Sequence, residues 1–303
     1  MSQPDQAITV GFVGLGQMGR PMVRHLLAAG YRLRVHARRP EAAAELLTLG
    51  AEFCASLPEL GRGCDVLCTN VTSSEDVEQV LFGAGEAAQG AAAGLRRGAV
   101  VLDFSTISPV TTRALAQRLA QQGVDMLDCP VSGGVRGAEE ASLVIMVGGP
   151  EAVLARVRPL LQCLSRSLVH IGEHGAGQVV KACNQIVQVV NIQGIAEAML
   201  FASTQGVDLH KMLAALQGGM AASRMLDLVG PKMAAQDFKA VIEARLHAKD
   251  YRLIEALLPQ LGLRLPAVQM VAAQLAALEA AGMGHDDTSS LLRVLQAQQQ
   301  QQQ

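Results

Sequence analysis

As far as about residue 172 the chain alternates short apolar runs with amphipathic ones, and after Gly177 the short apolar runs stop. That switch constrains the fold more than any other feature. Residues 8–14, 33–36, 65–70, 99–103, 124–128, 143–147 and 167–171 read as strands, and 21–29, 40–49, 74–82, 108–121 and 151–161 as helices. Strands that alternate with helices build a parallel sheet covered on both faces. The Gly/Ala-rich segment 83–94 is expected to be a surface loop. Beyond Gly177 a 3.6-residue apolar period runs from 178 to about 203 and resumes from Leu209, Ala240 and Val268, the pattern of an all-helical region. An unbroken helix over 178–204 would be roughly 40 Å long and would lead out of one domain into the next. The expected organisation is an α/β domain over 1–174, an all-α domain over 175–297, and a frayed or disordered glutamine tail over 298–303, with the boundary near 172–177.

Composition narrows the partners. Half of the residues are hydrophobic, yet the most apolar stretch, 179–202, contains Lys181, Asn184, Gln185, Asn191 and Glu197. It is therefore expected to fail as a membrane span, which needs roughly 20 mostly apolar residues. Residues 1–6 have neither a charged nor an apolar leader region, so no secretory signal is expected. Net charge is −2, aromatics are 3%, and no basic stripe is present, which argues against nucleic acid as a partner. Cys64 and Cys68 have no second Cys/His pair to complete a zinc site. The six cysteines are read as reduced, mostly buried thiols of a cytoplasmic protein, and no metal is expected.

The first strand runs into Gly14, Leu15, Gly16, Gln17, Met18 and Gly19, which open a helix. A bare GxGxxG is weak evidence, but here a strand precedes it, a helix follows, and a second strand comes about 20 residues on. Gly14 suits a tight turn, Gly16 lets the backbone approach a pyrophosphate, and Gly19 lets helix and strand pack closely. The helix start offers N–H groups and a positive dipole end to phosphates. The first domain is thus expected to be a Rossmann-type, doubly wound dinucleotide site. At the end of the second strand stand His36, Ala37, Arg38, Arg39 and Pro40, with no acid before Glu41. NAD sites usually carry Asp or Glu there, whereas arginine suits a 2′-phosphate through charge-assisted hydrogen bonds. NADP is expected in preference to NAD, with solvated loop charges as the competing reading of Arg38 and Arg39.

Three further segments carry candidate chemistry. Residues 128–134 (DCPVSGG) offer the Ser132 hydroxyl and the N–H groups of Gly133 and Gly134 as a cradle for a carboxylate. Lys181 and Asn184 stand at i, i+3 near the start of the long helix. Lys249 and Asp250 add a charged pair in the helical half. Taken one at a time, these are better read as a loop, a lysine snorkelling to solvent, and an exposed charged face.

Together, however, the chain resembles the β-hydroxyacid dehydrogenase family from about Ile8 to Leu295. The resemblance rests on 11–19 (GFVGLGQMG), 103–109 (DFSTISP), 128–134 (DCPVSGG), 177–184 (GQVVKACN) and Lys249-Asp250. Cys129 stands where alanine is usual, and 37–39 replace the acidic turn of the NAD-preferring members. The resemblance implies Lys181 as catalytic acid/base, Ser132, Gly133 and Gly134 on the substrate carboxylate, Asn184 orienting the substrate, and Thr106 and Lys249 near the cofactor. It also implies an oxidoreductase acting on a short 3-oxo or 3-hydroxy carboxylate. A desolvated lysine close to other cations should have a lowered pKa suited to proton exchange with the developing alkoxide. Residues 184–192, 197–203 and 218–224 look closest to the members that reduce tartronate semialdehyde to glycerate, and the polar pair Ser223-Arg224 tilts the same way. Alternatives are oxidation of 3-hydroxyisobutyrate or reduction of glyoxylate or succinic semialdehyde. A non-catalytic dinucleotide-binding scaffold is the alternative of a different class, disfavoured because Lys181 is retained. The apolar long helix predicts a homodimer or homotetramer through the helical halves.

Overall fold

The computed structural model describes residues 8–84 and 89–301. The first six residues, read above for a leader, lie outside the described residues. The chain divides into two compact units, 1–181 and 182–303.

The first unit begins with β1 (Thr9–Val13), α1 (Gly19–Ala28), β2 (Arg32–His36), α2 (Ala44–Thr48) and the two-residue β3 (Glu52–Phe53). It continues with α3 (Leu57–Arg62), β4 (Val66–Thr69), α4 (Ser74–Phe82), β5 (Val100–Asp103), α5 (Pro109–Gln121) and β6 (Asp125–Asp128). Then come β7 (Val131–Ser132), α6 (Gly134–Glu139), β8 (Leu143–Gly148), α7 (Glu151–Gln162) and β9 (Ser165–Gly172). The strand order is β3-β2-β1-β4-β5-β6-β8-β7, with β9 beside β8. Side chains alternate between two buried faces. Cys68, Leu102 and Leu127 enter the core shared with α1 and α7, while Leu67, Val101 and Met126 enter the one shared with α4 and α5. This two-sided burial is why the strands read as continuous apolar runs.

Helix starts follow local chemistry. Ser73 and Asp76 form a reciprocal capping box on α4, and Ser108 caps α5 ahead of Pro109. Helix α3 escaped the periodicity reading because it is a single short turn pair. Its own signal is Ser56 accepting from the Glu59 N–H, with Glu59 Oε2 accepting from the Ala55 N–H.

Two expectations need correction. The sheet is not wholly parallel, since β8 runs antiparallel to β6 and β7 while β9 is parallel to β8. The link 133–142 is too short for a parallel crossover, which takes about a dozen residues or more, so the chain returns antiparallel. The segment 83–94 is not simply a surface loop. Residues 91–94 form a 3₁₀ turn with Ala91 and Ala92 buried, packed so tightly on α3 that a Cβ on Gly61 would lie 2.1 Å from the Ala91 carbonyl oxygen. Residues 85–88 of that segment lie outside the described residues. The cysteines agree with the expectation of free, mostly buried thiols: four are buried, Cys163 is half-buried and Cys183 is exposed.

Helix α8 (Ala176–Thr204) carries the chain from the first unit into the second, which continues with α9 (Leu209–Gln217), α10 (Arg224–Ala234), α11 (Ala244–Leu261), α12 (Pro266–Ala280) and α13 (Leu291–Gln300). Val189, Ile192, Ala196 and Met199 of α8 recur at helical spacing and pack in one core with Leu213, Val229, Tyr251, Val271, Leu278 and Leu291. The glutamine run is helical as far as Gln300, and Gln298 exchanges amide hydrogen bonds with Gln274 at 3.5 and 3.3 Å. Residues 302–303 lie outside the described residues. Contrary to the reading of 179–202, α8 is long and apolar enough to cross a membrane by length and composition. The interrupting polar residues are too few to lower the average. The core helix of a compact domain satisfies the same test, and α8 supplies one ridge of the helical core.

Candidate active site

In the sheet unit the predicted residues gather at the carboxyl ends of neighbouring strands. β1 and β4 are adjacent at the centre of the sheet, where the order turns outward in both directions, the usual place for a ligand crevice in such folds. Gly14 leaves β1 with φ +102°, and a Cβ there would lie 2.0 Å from the Asn70 carbonyl oxygen. A Cβ on Gly19 would lie 1.9 Å from the Gly14 carbonyl oxygen, so strand end and helix start touch backbone to backbone. Gly16 differs from both: it is exposed, and a Cβ on it would meet nothing within 4 Å. Leu15 is buried beneath it, and Gln17 and Met18 lead into α1. No side chain caps α1 at Met18, and its first turn holds no acid. An open backbone bend ending in an uncapped, acid-free helix start fits a pyrophosphate. Arg38 and Arg39 are exposed one turn beyond β2, whose last residue, His36, is tied through Nδ1 to the Cys54 carbonyl at 2.9 Å.

Two carboxylates end the neighbouring strands. Asp103 of β5 and Asp128 of β6 are register partners and both are fully buried. Asp103 Oδ1 accepts from Thr69 Oγ1 at 2.8 Å and from the Ser105 N–H at 3.0 Å, whereas its Oδ2 is buried without a hydrogen-bond partner. Burial pushes its pKa up to about 6 against the pull of those hydrogen bonds, and Asp128 adds to the rise. Asp128 is also raised by burial, although it accepts from the Gly175 and Gln178 N–H groups at 2.8 and 3.0 Å. The loop after β5 places Thr106, half-buried, between Ser105 and Ile107. Burial raises the thiols of Cys68 and Cys129 as well, so they are poor nucleophiles.

Ser132 is half-buried and ends β7; it is not in a loop, because Val131 and Ser132 pair with β8 and Gly133 caps α6. Gly133 and Gly134 take positive φ in succession, +136° and +63°, a backbone bend that favours glycine at both positions. His25 of α1 lies 3.1 and 2.9 Å from the Ala138 and Glu139 carbonyls, tying the glycine-fingerprint helix to the end of α6. Lys181, expected among other things to snorkel, is only 8% exposed, and it shares a buried face of α8 with Gln178 and Gln185.

In the helical unit Asn184 and Lys249 belong to one network. Asn184 Nδ2 donates to Gln185 Oε1 at 2.9 Å, Gln185 Nε2 donates to Asp250 Oδ2 at 2.6 Å, and Lys249 pairs with Asp250 at 2.9 Å. Lys249-Asp250 is therefore no exposed face, since Asp250 is buried. Ser223, taken above as a polar residue favouring a hydroxylated substrate, accepts from the Leu226 N–H as the cap of α10, and Arg224 is exposed. Sequence reasoning did not assign a role to Gln178, Asp103, Asp128 or Gln185. A detectable signal did exist for the two strand-end acids 103 and 128: a charged residue closing a buried apolar strand at the carboxyl edge of the sheet.

The sheet unit with this glycine bend is a dinucleotide-binding fold, and comparison with known proteins gives the family. Residues 9–172 match the NAD binding domain of 6-phosphogluconate dehydrogenase, and residues 175–295 match the NAD-binding domain of NADP-dependent 3-hydroxyisobutyrate dehydrogenase. The chain is 38% identical over 287 residues to 2-hydroxy-3-oxopropionate reductase of Escherichia coli (strain K12), covering 95% of this chain and 97% of that protein. Mycobacterium tuberculosis 3-hydroxyisobutyrate dehydrogenase, solved with L-serine, superposes with a TM-score of 0.87 at 31% identity, over 96% of this chain and 99% of that one. Psf3, solved in complex with NADP+ and 2-OPP, gives 0.85 at 30% identity, over 94% and 99%. The chain belongs to the 3-hydroxyisobutyrate dehydrogenase-like family of β-hydroxyacid dehydrogenases. It is an enzyme that uses a nicotinamide dinucleotide and acts on CH–OH groups.

Proposed function

We propose that this enzyme is an NADP-preferring reductase of the cytoplasm that interconverts a short 3-oxo carboxylic acid and its 3-hydroxy acid, with tartronate semialdehyde and glycerate as the preferred pair. Residues 1–174 serve the nucleotide, and 175–297 serve substrate and assembly. The observation that carries the chemistry is Lys181, a lysine buried to 8% exposure near the start of α8. When bound, the reduced nicotinamide supplies the hydride to the substrate's carbonyl carbon. Lys181 Nζ stabilises negative charge on the carbonyl oxygen and then donates the proton that makes the alcohol; in the oxidative direction it takes that proton back. Ser132 and the N–H groups of Gly133 and Gly134 hold the substrate carboxylate, and Asn184 orients the chain between carboxylate and carbonyl. The Gly14–Gly19 bend receives the pyrophosphate, and Arg38 or Arg39 receives the 2′-phosphate. Thr106 and Lys249 flank the cofactor, Lys249 with its charge held in place by Asp250.

Helix α8 keeps Val187 69% and Phe201 72% exposed, apolar surface in keeping with a homodimer or homotetramer. The substrate reading leans on the likeness to the reductase of E. coli, and the likeness to the M. tuberculosis enzyme favours 3-hydroxyisobutyrate oxidation as the second reading. A pocket that hydrogen-bonds the C2 hydroxyl of tartronate semialdehyde rejects the methyl of methylmalonate semialdehyde strongly, whereas an apolar pocket separates the two only weakly. The test is NADPH oxidation with tartronate, methylmalonate and succinic semialdehydes and glyoxylate, ranked by kcat/KM. Tartronate semialdehyde should rank first. A lead of methylmalonate semialdehyde by more than about tenfold, or about 1.4 kcal/mol, would reverse the substrate reading.

A further inference from the structure

Gln178 takes part in none of the chemistry assigned above, yet it is 2% exposed and its amide is engaged at both ends. Nε2 donates to the Ser105 carbonyl at 2.8 Å, and Oε1 accepts from the Ile107 N–H at 3.2 Å. These two backbone groups flank Thr106. The Gln178 backbone N–H donates to Asp128 Oδ2 at 3.0 Å, and the Gly175 N–H donates to Asp128 Oδ1 at 2.8 Å, so the start of α8 is fastened to the end of β6. The loop is also anchored from beneath: the Ser105 N–H donates to Asp103 Oδ1 at 3.0 Å, and Ser105 Oγ accepts from the Val71 N–H at 2.9 Å. Lys181 follows Gln178 by three residues, on the same buried face and roughly 4.5 Å further along the axis.

We infer that Gln178 is a positioning residue for the reaction: by clamping both backbone groups beside Thr106 to the turn of α8 that carries Lys181, it holds the cofactor-side loop and the proton-donating lysine at one spacing. The inference rests on the assignment of Lys181 under the proposed function. The clamp has the features such a role requires. A single side chain spans both polar groups of the loop, so the loop cannot move along the helix without breaking two hydrogen bonds at once. Burial leaves no water to replace either bond, and an unmade buried hydrogen bond is costly. The carboxylate of Asp128 fixes the helix backbone, so a loop displaced from Gln178 leaves the helix behind and changes the distance between Thr106 and Lys181. A displacement of about 1 Å at a reacting group is enough to cost about a hundredfold in rate.

The test uses the full chain with Gln178→Met, which keeps length and volume but makes neither bond, and Gln178→Asn, which keeps the amide but is one methylene too short to span the loop. Lys181→Ala and the double variant Gln178→Met/Lys181→Ala complete the set. Gln178→Met and Gln178→Asn should each lower kcat about 10–100-fold. The KM for the acid should change by less than about threefold, and the pH midpoint of kcat should move by about half a unit or more, because the environment of the lysine changes. In the Lys181→Ala background, Gln178→Met should cost no more than about a further twofold, since it acts through the lysine. A residue that merely supports the fold would lower Tm and leave kcat per folded site and the pH midpoint unchanged. That result in both Gln178 variants, or a full additional loss in the double variant, overturns the inference. If Lys181→Ala turnover is below detection, the pH midpoint decides. If Lys181→Ala itself stays within about threefold of the parent, it is the lysine assignment that falls, since that is under 1 kcal/mol.

Discussion

Asp103→Asn should make the stability of the sheet unit respond differently to pH, and the structure sets the size of the change. Asp103 is fully buried, its Oδ2 has no hydrogen-bond partner, and its register partner on β6 is a second buried acid. Its pKa is about 6, against an ordinary 3.8. An acid whose folded pKa is raised binds its proton more tightly in the folded state. Its stabilising effect is therefore complete below about pH 4 and is lost as pH rises through about 6. The rise from 3.8 to about 6 corresponds to an upper bound of about 3 kcal/mol. Asparagine keeps the oxygen that accepts from Thr69 and Ser105 but carries no charge. It leaves an amide group where Oδ2 lacked a partner, a cost of about 1–3 kcal/mol that does not depend on pH. Relative to the parent, the variant should thus gain up to about 3 kcal/mol between pH 4 and pH 8. Burial is the larger cause of the rise and the neighbouring Asp128 the smaller, so the slope belongs chiefly to Asp103. Urea unfolding of parent and variant in parallel at half-unit pH steps measures it. A difference constant to within about 0.5 kcal/mol across the range, or one that favours the parent increasingly as pH rises, would refute the reasoning.

Three further outcomes are expected. Arg38→Asp should shift cofactor preference from NADPH toward NADH in fluorescence titrations, and a parent with equal affinity for the two would remove the basis for the prediction. Gly16→Ala should leave Tm unchanged while weakening dinucleotide binding, because its Cβ meets no protein atom, whereas Gly19→Ala should destabilise by about 1–3 kcal/mol because its Cβ would press on the Gly14 carbonyl. Thermal melts with and without cofactor separate the two. Light scattering at micromolar concentration should give a multiple of 31.8 kDa, and a mass of a single chain would contradict the proposed assembly.

What the sequence determined by itself was whatever depends on neighbours within a turn or a strand. Alternating β-rich and helical runs specified a covered sheet, because a strand buried on both faces needs an unbroken apolar run and a covering helix needs only one apolar stripe. Gly14, Gly16 and Gly19 marked the bend, and the spacing of Lys181 and Asn184 set their place on α8. The motifs spread along the chain then carried the family. Tertiary structure decided what depends on residues far apart. The 3₁₀ turn at 91–94 became buried only because Gly61 lets α3 approach it. Asp103 and Asp128 became neighbouring buried acids through strand register, which no single strand reveals. Gln178 reached Ser105 and Ile107 across 73 and 71 residues of sequence. Periodicity shows which way a side chain faces, but its hydrogen-bond partner is settled only when the sheet closes and the start of α8 is fastened to the end of β6.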